Sequence, residues 1–447
     1  MHRPLQEPSI IIRKIESCRS CGSKRLVSIL NLGDLHVSDF VNSEGKRGKA
    51  PLELVLCEDC SLLQLKHTVS PELLYREYWY KSGINETIRK DLRDIVAKVE
   101  KLVKLKSGDL VLDIGCNDGT MLRMYKTEGL KRVGFEPAVN LIGEASKGTT
   151  KVVNDFFSLE AFQESFADEK AKVITASAMF YDLDEPGKFV SDITHCLDRN
   201  GIFVIEQRYL FSMLEQNDIG NICHEHIEYY CLLSLRKLLE RHGLEIFDVE
   251  LNRINGGSFR IYVRHASSRI KPFEGAEERV RRLEARERSL SLDDKKVFKD
   301  FASRVENIKS RLYDFVKAEH DRGKVIHVYG ASTKGNTMLQ YFGLDNVLIE
   351  AAAERDPRKI GKETVCTHIP IITEEESRRK ADYFLVLPWH FLDVFLKREE
   401  KFLKSGGKFI VPLPEFRVLG YKEAFEETGT TTDSWKNEMP EVIRAYE

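Results

Sequence analysis

The chain has 447 residues, of which 42% are hydrophobic and 31% are charged, and its formal net charge is −2 at pH 7. This length favours two or three domains, and the composition excludes a disordered protein. The balanced charge argues against a protein that wraps a polyanion, so we expect small-molecule partners and no nucleic acid.

The first residues, MHRPLQEPSIIIRK, lack the continuous apolar region of a signal peptide, and no stretch approaches the length of a membrane span. The nine cysteines are unevenly placed, and four of them form two CxxC pairs. This pattern differs from the disulfide framework of a secreted protein and fits a reducing compartment. The sequence therefore predicts a cytoplasmic protein without membrane contact, and it carries no prediction of oligomeric state.

The two CxxC pairs are Cys18–Cys21 and Cys57–Cys60. Each two-residue gap lets both thiolates face one ion, and Gly22 suits the tight turn that follows the first pair. We predict a closed, structural Zn²⁺ site with no open position for a substrate. Redox dithiols are the alternative, and a nucleic-acid role is disfavoured because the intervening residues lack a dense run of Lys, Arg and aromatics.

The stretch from Gly108 to Asn140 predicts a βαβ unit, in which a buried strand, a glycine-rich turn and a helix-like segment precede a second strand ending at Glu136. Gly115 and Gly119 let the backbone approach a ligand, and Glu136 is placed to accept hydrogen bonds from ribose hydroxyls. The pattern therefore predicts a nucleoside-binding site.

The same turn, CNDG, contains Asn117 and Asp118 and does not match GxGxxG. Because Asp118 would repel a pyrophosphate, the turn suits S-adenosylmethionine better than NAD. Asp155 and Phe156 follow the third strand and could flank an adenine, while Ser177 ends the fourth strand beside the methyl donor.

The segment CHEHIEYY begins at Cys223, beyond the strand GIFVIEQRYL, where doubly wound sheets place their ligands. Two interpretations are open. His226 could act as a general base, or Cys223, His224 and His226 could bind zinc with Glu228 as the nearby fourth ligand.

Residues 269–322 predict a charged helical connector, and KVIHVYGASTKG then repeats the strand, turn and helix pattern. Ser332 and Lys334 predict a diphosphate cradle at a helix start, although the turn lacks the GKS or GKT of a P-loop. An NAD site with Glu354 and Asp356 near the next strand end is the inferior alternative.

The order of CxxCG, CxxC, YWYKSG, LDIGCNDGTML, GFEPAVN, HEHIEYY, NGGSFRIYV and YGASTKGNTMLQY resembles the nucleotide-sugar C-methyltransferase family over nearly the whole chain. The resemblance implies an α/β protein with a small zinc-binding domain, a class I Rossmann-like methyltransferase domain and a second, C-terminal Rossmann-like domain. It implies S-adenosylmethionine as methyl donor and a nucleotide-linked deoxy-4-ketohexose as substrate. The domain ranges we predict are 1–68 (zinc-binding), 69–107 (helical lead-in), 108–268 (methyltransferase), 269–322 (connector) and 323–447 (sugar-nucleotide-binding).

The resemblance also assigns roles to residues. His226 matches the family's proposed base, and Glu225 and His224 match positions that could orient it or bind the sugar. Tyr80 and Ser82 match a segment that closes over the methyl donor. Asn255, Ser258 and Arg260 lie in NGGSFRIYV, which resembles the family's substrate-side motif, so the resemblance implies that they bind the sugar.

The chain departs from the family pattern at three positions. Cys223 replaces a tyrosine before HEH, Asp182 replaces a histidine after the fourth strand, and Asn255 replaces a histidine before the glycines. Cysteine lacks the reach of a tyrosine hydroxyl, and an ionised aspartate only accepts hydrogen bonds. The alternatives are therefore O- or N-methylation of a related sugar, or a non-catalytic sugar-nucleotide-binding protein.

Overall fold

A computed structural model describes residues 11–41 and 48–425 of the chain. The predicted domain ranges include residues 1–10, 42–47 and 426–447, which lie outside the described part. The N-terminal region consists of short strands around the CxxC pairs, followed by two helices; these are β1 (Ile12–Lys14), β2 (Leu26–His36), β3 (Phe40–Val41), β4 (Lys49–Cys57), β5 (Leu63–Leu65), β6 (His67–Val69), α1 (Pro71–Tyr75) and α2 (Glu86–Leu102).

The central region contains a seven-stranded sheet in the order β13-β14-β11-β10-β7-β8-β9. The strands and helices of the central region, in which β12 lies outside this sheet, are β7 (Leu110–Ile114), β8 (Lys131–Phe135), α3 (Ile142–Ala145), β9 (Lys151–Val153), α4 (Leu159–Phe166), β10 (Ala171–Ser177), α5 (Pro186–Cys196), β11 (Leu197–Arg208), α6 (Leu210–Glu215), β12 (Glu228–Tyr229), α7 (Leu232–Glu240), β13 (Leu244–Asn252) and β14 (Ser258–His265). Strands β7 to β11 in this sheet are parallel, and β14 runs antiparallel to both of its neighbours. The strand order reverses between β7 and β10, which opens a ligand crevice at their carboxyl ends.

Two amphipathic helices, α8 (Ala276–Ser289) and α9 (Lys295–Asp321), form the connector. A six-stranded sheet in the order β18-β16-β15-β19-β20-β21 follows, and only β21 pairs antiparallel. The elements of this region are β15 (Ile326–Tyr329), α10 (Thr333–Phe342), β16 (Ala351–Glu354), β17 (Glu363–Thr364), β18 (Ile371–Thr373), α11 (Glu374–Arg378), β19 (Tyr383–Val386), α12 (Leu392–Arg398), α13 (Glu400–Lys404), β20 (Lys408–Val411), β21 (Arg417–Leu419) and α14 (Tyr421–Phe425). The predicted fold class is confirmed.

One predicted helix is much shorter than the sequence pattern indicates. Between β7 and β8 the chain forms a single 3-10 turn, Leu122–Met124. The Oε1 atom of Glu100 on α2 accepts hydrogen bonds from the backbone N–H groups of Lys126 and Thr127, both at 2.9 Å. These amides are therefore unable to continue the helix.

The zinc-binding region and the central region share one sheet, in the order β12-β5-β4-β2. Strand β12 directly follows the HEH motif and pairs antiparallel with β5, with Glu228 opposite Gln64 and Tyr229 opposite Leu63. The Leu65 N–H also donates to the Ile227 carbonyl at 2.8 Å. The fold thus attaches the segment that carries His226 to the cysteine-rich region.

No helix within residues 11–41 and 48–425 is both long enough and apolar enough to cross a membrane.

Candidate active site

A cavity of about 480 Å³ lies where the carboxyl ends of the central strands face the start of α10. It brings together most of the residues predicted from the sequence, namely Tyr80, Ser82, Gly115, Asn117, Glu136, Asp155, Phe156, Ser177, Glu225, His226, Asn255, Ser258, Ser332 and Lys334. Four predicted residues do not line it: Asp118, Gly119, His224 and Arg260.

The turn after β7 forms one wall of this cavity. Gly115 has φ +69°, and a Cβ there would lie 3.1 Å from Met179 Cγ, so the turn requires glycine. The Asn117 N–H donates to Glu136 Oε2 at 2.7 Å, and the Ala138 N–H donates to Oε1 at 2.9 Å. These bonds fix the carboxylate of Glu136 at the end of β8, where its remaining lone pairs suit ribose hydroxyls.

The same turn holds residues 80–83 over the cavity. Asn117 Oδ1 accepts from the Ser82 N–H at 2.9 Å, its Nδ2 donates to the Tyr80 carbonyl at 3.1 Å, and Asp118 Oδ2 accepts from the Gly83 N–H at 2.8 Å. A Cβ on Gly119 would approach the Ala145 carbonyl oxygen to 2.7 Å. Asp118 and Gly119 therefore shape the turn from behind instead of lining the cavity.

Buried carboxylates surround this end of the cavity, including Asp91, Asp113 and Glu206. Burial and the neighbouring Glu206 raise the pKa of Asp91. Burial raises the pKa of Asp113 to about 7. Since burial disfavours the ionised forms of Asp91 and Asp113, a cationic ligand such as the sulfonium and ammonium groups of S-adenosylmethionine suits this end because it favours the ionised carboxylates.

Arg260 is buried on β14 and does not reach the cavity. Its guanidinium donates to four carboxylates, which belong to Glu206, Asp94, Asp91 and Glu250 at 2.5, 2.7, 2.8 and 3.2 Å. These contacts occupy the guanidinium. Its position therefore supports a role in positioning Asp91 and Glu206, and not the direct sugar binding that the motif suggested. The motif pattern missed those two acids, although Glu206, which directly follows the apolar run Ile202–Ile205 within β11, is a detectable signal.

His226 is buried and lines the cavity beside the ring of Tyr181, whose centroid lies 4.5 Å away. Its Nδ1 lies 3.0 Å from the Asn221 carbonyl oxygen and 3.1 Å from Asn221 Oδ1. Since both partners are acceptors, Nδ1 carries the proton and Nε2 presents a lone pair. Burial, Lys334 and Arg208 lower the pKa of His226 well below its ordinary value, which keeps the imidazole neutral.

Two departures from the family pattern surround His226. Asp182 lines the cavity, and burial together with the Glu225 carboxylate raises its pKa well above the ordinary range. A neutral Asp182 donates a hydrogen bond, which an ionised aspartate cannot do. Cys223 is buried and lies outside the cavity lining, while Tyr75 on α1 donates to the Glu225 carbonyl at 2.8 Å.

His224 points away from the cavity toward the zinc-binding region. Its Nε2 lies 2.9 Å from the Ala50 carbonyl oxygen on β4, so Nε2 carries the proton. Burial lowers the pKa of His224 to about 4, and the side chain stays neutral. The alternative zinc site of the sequence analysis, in which Cys223, His224, His226 and Glu228 bind one ion, does not form. Within the described chain the residues close enough to share an ion at this place are Cys223, Glu225 and His226, without His224 or Glu228.

The four cysteines of the CxxC pairs do converge, with all ligand atoms within 4.8 Å of one another. The Cys18–Cys60 and Cys21–Cys57 sulfur pairs are each 3.5 Å apart. Thiolates around a tetrahedral zinc ion are about 3.8 Å apart, so the cluster fits Zn²⁺. Gln64 Nε2 donates to Cys18 Sγ at 3.1 Å, which suits a metal-bound thiolate.

A second cavity of about 610 Å³ adjoins the first and shares with it Tyr78, Tyr80, Glu225, Ser332 and Thr333. It lies between the zinc-binding region and the C-terminal sheet. Its other lining residues include Trp79, Gly330, Arg358, Lys359 and Arg398. The loop before α10 therefore borders both cavities.

Three family profiles match successive parts of the chain. They are a zinc binding domain over residues 18–75, a methyltransferase domain over 84–249 and a C-methyltransferase C-terminal domain over 253–414.

Similar proteins include the C-methyltransferase NovU of Streptomyces niveus, which is 30% identical over 417 residues; the alignment covers 92% of this chain and 98% of NovU. The tRNA U34 carboxymethyltransferase of Campylobacter jejuni is 26% identical over 150 residues, 31% of this chain and 50% of that protein. Among solved structures, magnesium protoporphyrin IX methyltransferase from Synechocystis PCC 6803 with bound SAH shares 15% identity at a TM-score of 0.32, covering 41% of this chain and 88% of that one.

Proposed function

Because the chain belongs to the family of S-adenosylmethionine-dependent C-methyltransferases that includes NovU, we propose that it methylates a carbon of a nucleoside-diphosphate-linked deoxy-4-ketohexose. The methyl donor and a structural zinc ion, both predicted from the sequence, are confirmed with the family. The observation that carries the proposal is that a neutral histidine, His226, lines the cavity that also holds the donor turn.

The donor end of the cavity supports binding of S-adenosylmethionine. Glu136 would accept hydrogen bonds from the ribose hydroxyls, and Asp155 and Phe156 would flank the adenine. Arg76 holds both of the latter, through an ion pair to Asp155 at 3.0 Å and a position 4.9 Å above the Phe156 ring. Glu206, whose pKa the Arg260 charge lowers despite burial, supplies negative charge for the cationic part of the donor, and Asp91 would ionise beside that cation.

The acceptor end supports proton abstraction next to a ketone. His226 Nε2 takes the proton as the C–H bond breaks, and the electron pair forms the carbon–carbon double bond of an enolate while the carbonyl pair moves to oxygen. When bound, S-adenosylmethionine supplies an electrophilic methyl group that bonds to the enolate carbon, while the carbon–sulfur pair returns to sulfur and the ketone re-forms. His226 then releases its proton to solvent.

The second cavity supports a substrate that carries a nucleotide. The first amides of α10 have no partner within the helix, and Ser332 caps this end by accepting from the Gly335 N–H at 3.0 Å. Trp79 offers an aromatic face that already lies near two cations, Arg358 and Lys362. A sugar in the first cavity and a nucleoside diphosphate in the second would therefore span the shared loop.

The test is to incubate purified protein and S-adenosylmethionine with a panel of nucleotide 4-ketohexoses and to locate the added methyl group by mass spectrometry and NMR. The proposal predicts a new carbon–carbon bond next to the ketone. The matched control is the same sugar with the ketone reduced to an alcohol, which should not react. Methylation of that control on oxygen would favour the O-methyltransferase alternative and would contradict the proposal.

A further inference from the structure

We propose that Lys334 is a catalytic residue that donates a hydrogen bond to the enolate oxygen at the reacting ketone, rather than a ligand of the diphosphate. The inference rests on the proposed function and deepens it. It revises the role predicted from the turn at the start of α10, where a lysine suggests a phosphate contact.

The ammonium group of Lys334 lies beside the proposed base. Lys334 Nζ is 3.5 Å from Asn221 Oδ1, and the same oxygen is 3.1 Å from His226 Nδ1. Both side chains line the first cavity. Asn221 therefore connects the two groups while the opposite side of the imidazole stays available to the substrate.

The packing of α10 fixes this placement. A Cβ on Gly220 would lie 2.9 Å from Met338 Sδ, so the helix contacts the 3-10 turn Ile219–Asn221 directly. On its other side, Asn336 Nδ2 donates to the Asp39 carbonyl at 2.6 Å. The helix is thus held between the zinc-binding region and the turn that orients His226.

The second cavity separates Lys334 from the predicted phosphate cradle. That cavity is lined by Gly330, Ser332 and Thr333 but not by Lys334. Its own cationic side chains include Arg358, Lys359 and Arg398, which are ion-paired to Asp356, Glu354 and Glu374 at 2.6, 3.3 and 3.0 Å, so a diphosphate in this cavity would share these cations with the carboxylates. Lys334 is therefore directed toward the ketone end, and the cradle retains positive charge without it.

Of the three acidic groups that face Lys334, Cys223 and Asp182 are held neutral and Glu225 remains, so the ammonium keeps N–H groups that can donate to an oxyanion. The ionisable groups that face it are Arg208, Cys223, Glu225, Asp182, His226 and His390. Burial raises the pKa values of Cys223 and Asp182, so these two groups stay neutral. When His226 Nε2 removes the carbon-bound proton, negative charge develops on the carbonyl oxygen, and a Lys334 N–H donates to it without transferring its proton. A preorganised donor of this kind contributes about 10²–10³ in rate.

The experiment compares Lys334→Met, Lys334→Arg and the control Lys397→Met, an exposed lysine of the same region. Two quantities are measured. The first is the rate of solvent-deuterium incorporation next to the ketone at saturating nucleotide ketosugar. The second is the dissociation constant of the corresponding nucleoside diphosphate without sugar, by calorimetry, with S-adenosylmethionine affinity as the check of folding.

We expect Lys334→Met to slow incorporation by about a hundredfold or more, with nucleoside-diphosphate affinity within about twofold of wild type. Lys334→Arg should recover part of the rate, and Lys397→Met should match wild type. Wild-type incorporation in Lys334→Met, with diphosphate affinity at least tenfold weaker, would overturn the inference alone. Absence of incorporation in the wild-type protein would overturn the proposed function and the inference together.

Discussion

His224 is predicted to have a structural role in the HEH motif, whereas His226 is predicted to act in the chemistry. Its Nε2–H donates to the Ala50 carbonyl at 2.9 Å, and both residues are buried. His224→Leu removes this hydrogen bond between two buried groups, which costs about 0.5–1.5 kcal/mol. His224→Gln retains an N–H donor at a similar reach and should lose less.

Each 1.4 kcal/mol is a factor of ten in an opening equilibrium, so we expect the backbone amides of residues 223–231 to exchange about twofold to tenfold faster in His224→Leu. Hydrogen–deuterium exchange with mass spectrometry measures this locally. S-adenosylmethionine affinity serves as the control, because the donor turn does not contact His224. If His224→Gln abolished deuterium incorporation into the ketosugar while the segment kept its protection, His224 would take part in the chemistry and this reasoning would be refuted.

Three further predictions follow from the site. The rate of deuterium incorporation into the ketosugar should fall above about pH 8, because burial and Arg208 lower the pKa of Lys334 to about 8 and its ammonium is lost as the pH rises. On the acid side, the rate should fall only well below pH 6.5, because the lowered pKa of His226 keeps the base neutral down to that range. A rate–pH profile in which the acid-side fall is centred at pH 6.5 or above would contradict this. Asp91→Asn should weaken S-adenosylmethionine binding by about tenfold and weaken S-adenosylhomocysteine less, since the product lacks the sulfonium charge; equal losses in calorimetry would argue against an acidic donor end. Removal of zinc by a chelator should expose the amides of β5 and β12 to hydrogen exchange, and it should reduce deuterium incorporation into the ketosugar more than it reduces donor binding. Added Zn²⁺ should restore both. Unchanged protection of β12 would show that the shared sheet does not depend on the metal.

Local patterns in the sequence predict the parts of the site that lie on single strands or turns. Gly115 and Glu136 are such cases, because a glycine turn after one buried strand and an acid at the end of the next belong to one βαβ unit. The four cysteines are predicted for the same reason, since their spacing encodes the geometry of one metal ion. Each of these signals lies within a short window of sequence.

Contacts between distant segments account for what the sequence leaves out. Asp91 on α2 lies beside Glu206 on β11 because Arg260 on β14 holds both acids. The direction of Lys334 depends on how α10 packs against the turn that contains Asn221. No residue type or spacing encodes these placements, because they arise from the packing of separate elements.

The most direct test of the account is solvent-deuterium incorporation at the carbon next to the ketone, followed by NMR, with wild-type protein and His226→Gln. The account predicts rapid incorporation by the wild type without methyl transfer and a loss of about 10²–10⁴ in His226→Gln, while both proteins bind S-adenosylmethionine equally. Incorporation at wild-type rates in His226→Gln, or no incorporation by the wild type with any ketosugar despite methyl-donor binding, would contradict it.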